Sequence, residues 1–362
     1  MLALLGPPPT AQAPPAGDEV SVIARRPFRV RRLARQVGKW GILAVVFEDV
    51  LLPQIVGTRN SWHELPGVNT AWLLMAVMVE AASLAVYGLL SRALFPKDQR
   101  PGYATLLAID LSTMAASRVM PAGSAVGLGL GYRMLTRAGV SGPVAVFVKV
   151  TQAIGSAVVL NIILLIALVA STALHGFNPV FGPLALVGSS LLALAAALLV
   201  LVLHGDDRVA DVLARLLGRL PRLSPDRVRV AALSVTSQVC TLASAPRRLT
   251  VAFAFAAANW LLDAAALWAC LHAFGHSLGP DQLLVSYGLA AVLAAVPITP
   301  AGLGVAEAAL IPVLVGFSTP RGIAILGVLA WRAIAFVLPI PIGSICYLLF
   351  QRLIRPGRLP VP

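Results

Sequence analysis

Nine ionisable residues sit inside stretches that are otherwise apolar: Glu48, Asp49, Glu80, Asp110, Arg118, Lys149, Asp263, Glu307 and Arg332. A charge held in hydrocarbon costs roughly several kcal/mol, so each must pair, bind an ion or serve a substrate path. Arg118 is the sharpest case because it stands three residues before Pro121. Past that proline come Gly123, Ser124 and Gly127, whose backbone N–H groups would face an anion if a half-helix starts there. A guanidinium beside free N–H groups suits a phosphate. Asp110 lies two helical turns earlier, about 80° away around a helix, and is placed to orient Arg118. The competing reading is a structural pair of Arg118 with Asp110 or Glu80.

The tripeptide Pro121-Ala122-Gly123 recurs as Pro300-Ala301-Gly302, half a chain later and again inside an apolar stretch. Proline and glycine at membrane depth free backbone groups that lipid cannot satisfy, so such breaks persist only where protein or a watery cavity receives them. Paired breaks in two halves point to a transporter-type site. At the second copy Thr299, Pro300, Gly302 and Gly304 line the matching half-site, and Glu307 follows one turn on. Arg332 and Asp263 are its candidate partners; a Glu307–Arg332 pair would be either a gate or a static brace. Asn259, Trp260 and Asp263 share a helix face better suited to helix–helix contact than to a site.

Enzyme signatures are poor. His272 and His276 have i, i+4 spacing but lack an HExxH context. Ser124 is not in a G-x-S-x-G elbow, because Ala122 and Val126 occupy the glycine positions. No Walker loop is present. The cysteines Cys240, Cys270 and Cys346 lie far apart in apolar surroundings and read as packing residues. The expectation is a non-enzyme with no cofactor and no metal.

The elements that position these residues follow from composition. The chain is 58% hydrophobic and 12% charged, with a mean hydropathy of +0.86; soluble domains carry about 25% charged residues. Apolar spans are expected at 38–57, 70–92, 146–173, 183–204, 250–274 and 322–350, with further apolar stretches at 104–131 and 282–316. Of 28 basic residues, 23 lie in the N-terminus, 92–103, 132–145, 205–249 and the C-terminus. The positive-inside rule puts these five segments in the cytoplasm. Segment 104–131 then enters and leaves from one side as a re-entrant hairpin, and 282–316 does the same from the other. The net charge of +13 thus flanks spans, and nucleic acid is not an expected partner. Arg and Leu alternate at helical spacing in 205–249, a segment that either lies on the inner leaflet or is a solvated loop.

The fold expected is an all-α polytopic membrane protein with about six full spans, two broken hairpins and an inverted-topology repeat. Residues 1–37 form a disordered basic cytoplasmic tail, 38–350 the transmembrane domain in halves of about 38–173 and 183–350, and 351–362 a cytoplasmic tail.

Three segments resemble the lysylphosphatidylglycerol synthase transmembrane-region family, also called the flippase-like domain family. They are Ser117 to Arg133, Gly139-Val140-Ser141, and Val296 to Glu307. The last follows the family's Pro-x-x-Pro-Gly-Gly-Leu-Gly-x-x-Glu run through Pro297, Pro300, Gly302, Leu303, Gly304 and Glu307, with Ala301 in place of the first Gly. Where many members carry an Arg and a Gly-Glu pair after the first proline, this chain has Gly123, Ala125 and Val126. The family's best-known members also carry a soluble aminoacyltransferase domain, which these 362 residues do not contain. Lysylphosphatidylglycerol synthesis is therefore not expected. The resemblance implies translocation of a phospholipid or a polyprenyl-phosphate-linked sugar in a bacterial plasma membrane, with both termini cytoplasmic. On this reading Arg118, Pro121, Gly123, Ser124, Gly127 and Arg133 receive the headgroup from inside, and Thr299, Pro300, Gly302 and Gly304 from outside. Glu80, Asp110, Lys149, Asp263, Glu307 and Arg332 supply intramembrane charge or gating. The alternatives are a non-transporting lipid-binding subunit of a separate glycosyltransferase and a membrane-embedded lipid-modifying enzyme.

Overall fold

Punctuation by proline and glycine sets the elements. In the computed structural model, described for residues 68–120, 123–176, 244–294 and 304–353 and a few positions between 186 and 242, nine helices are labelled here. Helix α1 (Thr70–Leu94) is capped by Asn69, whose side chain accepts from the Ala71 N–H at 3.1 Å, and ends at Phe95, the residue before Pro96. Helix α2 (Tyr103–Val119) stops at Met120, which is extended (φ −101°, ψ 140°) as a pre-proline residue must be. Helix α3 (Gly123–Arg137) closes on Gly139 at φ +89°, with the Val140 N–H reaching back to the Leu135 carbonyl. Then follow α4 (Gly142–His175), α5 (Pro246–Ala273), α6 (Pro280–Ala294), α7 (Val305–Gly316), α8 (Arg321–Arg332), a π-helical turn (Ala333–Val337) and α9 (Pro339–Leu353).

Four stretches among the described residues are long and apolar enough to cross a membrane: α1, α4, α5 and the continuous run Arg321–Arg352. They match the expected spans at 70–92, 146–173, 250–274 and 322–350 to within a few residues. The expected break in 104–131 is present as the turn between α2 and α3, although α3 runs on to Arg137. Segment 282–316 likewise holds two short helices, α6 and α7. At about 1.5 Å per residue, none of α2, α3, α6 and α7 spans a core of about 30 Å. Expected spans 38–57 and 183–204, the N-terminal tail, Glu48 and Asp49 lie outside the residues described in continuous segments, as do most of the expected loop 205–249 and C-terminal tail 351–362; the described ends of these two are helical instead, residues 246–249 in α5 and 351–353 in α9.

Helices α1 and α5 pack along their length and run antiparallel. The Asn69 N–H donates to the Ala273 carbonyl at one end, and Arg248 donates to the Leu94 and Phe95 carbonyls at the other. Around this pair the short helices pack reciprocally: α2 against α3 and α9, α6 against α7 and α4. One core gathers Leu267, Leu271, Leu310 and Leu314, another Leu106, Ile109, Met134 and Phe147. Large apolar side chains such as Met78, Ile166 and Val169 point outward, as lipid-facing positions do.

Gly123, Gly127 and Gly131 form an i, i+4, i+8 stripe that lets α3 close on α2. A β-carbon at Gly123 would collide with the Ser117 carbonyl oxygen and one at Gly127 with Ser117 Oγ, while at Gly131 it would lie 3.1 Å from Thr113 Cγ2. Small residues at such spacing let membrane helices approach closely. Gly123→Ala is expected to destabilise the fold by about 1–3 kcal/mol through overpacking. Gly129→Ala, with nothing within 4 Å of its β-carbon, is expected to be nearly silent. Thermal unfolding of the two variants in detergent makes the comparison.

Candidate functional site

Two polar clusters occupy the interior. The first joins α1, α2 and α4. Ser91 Oγ donates to Asp110 Oδ2 at 2.6 Å, Lys149 Nζ donates to the other Asp110 oxygen and to Gln152 Oε1 (3.2 Å), and Gln152 Nε2 donates to Ser91 Oγ at 2.7 Å. The ring is closed, and every donor has an acceptor. Asp110 therefore does not orient Arg118, contrary to expectation. Lys149 on α4 faces it directly with a flexible four-carbon stem, while Arg118, at the end of α2, reaches past it towards the π turn.

A cavity of about 350 Å³ opens beside this ring. Its polar lining is Asp110, Thr113, Ser117, Arg118, Lys149 and Gln152. Two cations thus face one chamber, one neutralised by Asp110 and one not paired to a carboxylate by any described ion pair. The volume lies in the range of small-ligand sites.

The second cluster gathers side chains of α2, α5, α7 and α8 beside the π turn. The π turn precedes Pro339 and Pro341, which lack N–H groups, so the carbonyls of Ala335 and Val337 lose their usual i+4 donors and the helix widens. Arg118 Nη1 donates to the Phe336 carbonyl at 2.9 Å, and its guanidinium lies 5.1 Å from the centre of the Phe336 ring. Arg332 stacks over Trp331 (4.8 Å) and over Phe336 (5.8 Å). One aromatic ring therefore contacts both arginines. The expected Glu307–Arg332 pair is present, with Nε 2.8 Å from Oε1. Glu307 Oε2 also accepts the Gly304 N–H at 2.7 Å, capping α7. Gly304 has φ +80°, a conformation glycine adopts without steric cost.

Asp263 is not the partner of Glu307. Its oxygens accept from Tyr287 Oη at 2.7 Å and Trp331 Nε1 at 2.8 Å. Glu80, buried on α1, faces it. The rest of the α5 polar face makes helix–helix contact: Asn259 Nδ2 donates to Ser83 Oγ at 2.8 Å, and Trp260 Nε1 donates to the Ser156 carbonyl at 2.9 Å.

Residues 40–343 match the family described as "Lysylphosphatidylglycerol synthase TM region". The chain belongs to this family. Over 93 residues, 26% of this chain, it is 32% identical to "Inner membrane protein YbhN" of Escherichia coli (strain K12). The match spans 28% of that protein's length. With its apolar helices, this family member is a membrane-embedded helical protein.

Within this family member the expected site residues divide into groups. Arg118 and Gly127 line the cavity, and Gly123 and Gly127 make the α2–α3 contact. Arg133 is exposed on α3. Pro121, Thr299, Pro300 and Gly302 lie outside the described residues, as does the side chain of Ser124. His272 stacks on Trp268 and Trp72, at 3.9 and 4.8 Å between ring centres. His276, in the α5–α6 connection, is held below the ordinary imidazole range by burial and by His272. Among the described residues no group of His, Cys, Asp and Glu has the arrangement of a metal site.

Sequence reasoning missed Ser91, Gln152, Tyr287, Trp331 and Phe336. Gln152 carried a signal, standing one turn from Lys149. Phe336 carried none, because its role comes from a carbonyl that only the π turn exposes.

Proposed function

We propose that this protein binds an anionic or polyprenyl-phosphate-linked lipid and moves its headgroup between leaflets. The observation that carries the reading is the meeting at Phe336 of Arg118, from the end of α2, with Arg332, which pairs with Glu307 at the start of α7. The chamber beside Arg118 offers a headgroup a cation free of any carboxylate partner in the described ion pairs. In this reading the chain is an inverted repeat of six spans and two hairpins. The reciprocal packing of α2 on α9 and α6 on α4 supports it, because a pseudo-two-fold axis beside α1 and α5 would exchange those contacts. Alternating exposure of the site then follows from rocking one half against the other.

The test is exchange of fluorescent phosphatidylglycerol, and separately of a labelled polyprenyl-phosphate lipid, in liposomes containing the purified protein. Exchange well above that of protein-free liposomes is expected for at least one. No exchange with either overturns translocation, and binding without exchange would favour the accessory-subunit reading.

A further inference from the structure

Among the described residues four carboxyl groups stand within the helix bundle, Glu80, Asp110, Asp263 and Glu307, against three cations, Arg118, Lys149 and Arg332. Two pairs are complete: Lys149 with Asp110, and Arg332 with Glu307. That leaves Glu80 and Asp263 with Arg118, so these seven groups carry one negative charge in excess unless one carboxyl holds a proton.

Helix packing brings those two carboxyls together. Ser83 Oγ donates to the Asn259 carbonyl at 3.1 Å across the α1–α5 contact. The helices are antiparallel, so stepping back one turn on α1 and forward one turn on α5 sets Glu80 opposite Asp263, within hydrogen-bonding reach. Glu80 is 4% exposed, and its Oε2 has no hydrogen-bond partner among the described residues. Both Asp263 oxygens already accept, from Tyr287 and Trp331, whereas Glu80 has an oxygen with nothing to accept. With Glu80 buried and Asp263 half-buried beside it, like charge and desolvation oppose ionising both, and a proton on Glu80 turns the unpartnered oxygen into a donor towards Asp263.

Among the described residues the surroundings contain no better base or acid. From α2 the charged group facing the pair is Arg118, and from α5 Cys270 adds only a thiol. Lys149 on α4 is committed to Asp110, Tyr287 on α6 bonds Asp263, and Arg332 on α8 is committed to Glu307. The π turn contributes only the Phe336 carbonyl and ring, both facing Arg118.

We propose that Glu80 and Asp263 form a proton-binding carboxyl pair whose occupancy is coupled to an anionic headgroup at Arg118. The coupling rests on the lipid-binding reading above. Arg118 is the one cation balancing the pair, and an arriving phosphate neutralises it. The pair then retains its proton more firmly and, reciprocally, a protonated pair leaves Arg118 free to take the phosphate. Because anion binding strengthens the pair's hold on its proton, affinity is level where the lipid-free pair is already protonated and falls as pH rises through the range where that pair loses its proton, by at most about tenfold per pH unit for a single proton.

Infrared spectroscopy of the lipid-free full chain tests the pair. At neutral pH a protonated-carboxyl C=O stretch that shifts in heavy water is expected in the wild type and absent in Glu80→Gln. Its absence in the wild type, or its persistence unchanged in Glu80→Gln, overturns the pair; the heavy-water shift in the wild type stands even if the variant does not fold. Binding of fluorescent phosphatidylglycerol in phosphatidylcholine nanodiscs tests the coupling. Wild-type affinity is expected to be level where the infrared band is present and to fall with rising pH where the band is lost, and Glu80→Gln, neutral at every pH, to bind with a flat profile near the low-pH wild-type value; the titration runs through the loss of the band. A flat wild-type profile, or the same slope in both proteins, overturns the coupling. No binding at any pH overturns the lipid reading and the coupling with it, while the infrared band still decides the pair.

Discussion

Arg118→Ala is expected to abolish measurable lipid exchange and to weaken phosphatidylglycerol binding by on the order of 100-fold, the equivalent of one lost charge-assisted hydrogen bond. The side chain has two jobs in the structure. It lines the cavity, and it fills the Phe336 carbonyl while lying over the Phe336 ring. Losing the second job costs stability, about 1–3 kcal/mol for a buried carbonyl left unpaired. Arg118→Lys separates the two. The ammonium keeps a charge for a phosphate but forfeits the planar stack and the fixed fork. The lysine variant is therefore expected to lose stability while retaining more binding than the alanine variant. Arg137→Ala, at an exposed position on α3, is the control and should change neither. Binding isotherms in nanodiscs and thermal unfolding in detergent supply both readouts. Alanine and lysine variants that bind like wild type would remove Arg118 from the site.

Much of this arrangement was legible in the sequence because membranes make some physics cheap to read. Uninterrupted apolar runs announced α1, α4, α5 and the Arg321–Arg352 crossing, since twenty such residues have few other uses. Pro121 announced the end of α2, because a pre-proline residue leaves the helical region. Glu307 and Arg332 were legible as a pair because both are too costly to leave alone. Legibility failed where several elements converge. Nothing in the one-dimensional pattern said that Lys149, not Arg118, would take Asp110; that choice depends on how α4 crosses α2. Gly123 and Gly127 read as an anion-binding backbone, but their spacing with Gly131 also encodes a close helix contact, and that second use went unread. The π turn was invisible because Pro339 and Pro341 signal a disturbance but not its form. It is this turn that exposes the Phe336 carbonyl and brings both arginines to one ring.

The Glu307–Arg332 pair carries the second large effect, and the two partners are not expected to be equivalent. Glu307 is the deeper side chain, 5% exposed against 14% for Arg332. It also caps α7 through the Gly304 N–H. Glu307→Ala removes the pair and the cap together and strands a guanidinium, for an expected loss of about 3–5 kcal/mol. Glu307→Gln keeps an oxygen for the Gly304 N–H and should be milder by about 1 kcal/mol, the usual worth of a cap. Arg332→Ala falls between them, since a stranded Glu307 can take up a proton and still accept from Gly304. Arg332→Met combined with Glu307→Gln should recover part of the loss, because replacing both partners leaves no buried charge unpaired. Thermal unfolding of the four variants in one detergent tests the order. A double variant no more stable than Glu307→Ala would mean that the pair, not the cap, organises the second break. Recovery in the double variant assigns that role to Glu307 and Gly304, and leaves Arg332 free to separate from the carboxylate without unwinding α7, as a gate at this position requires.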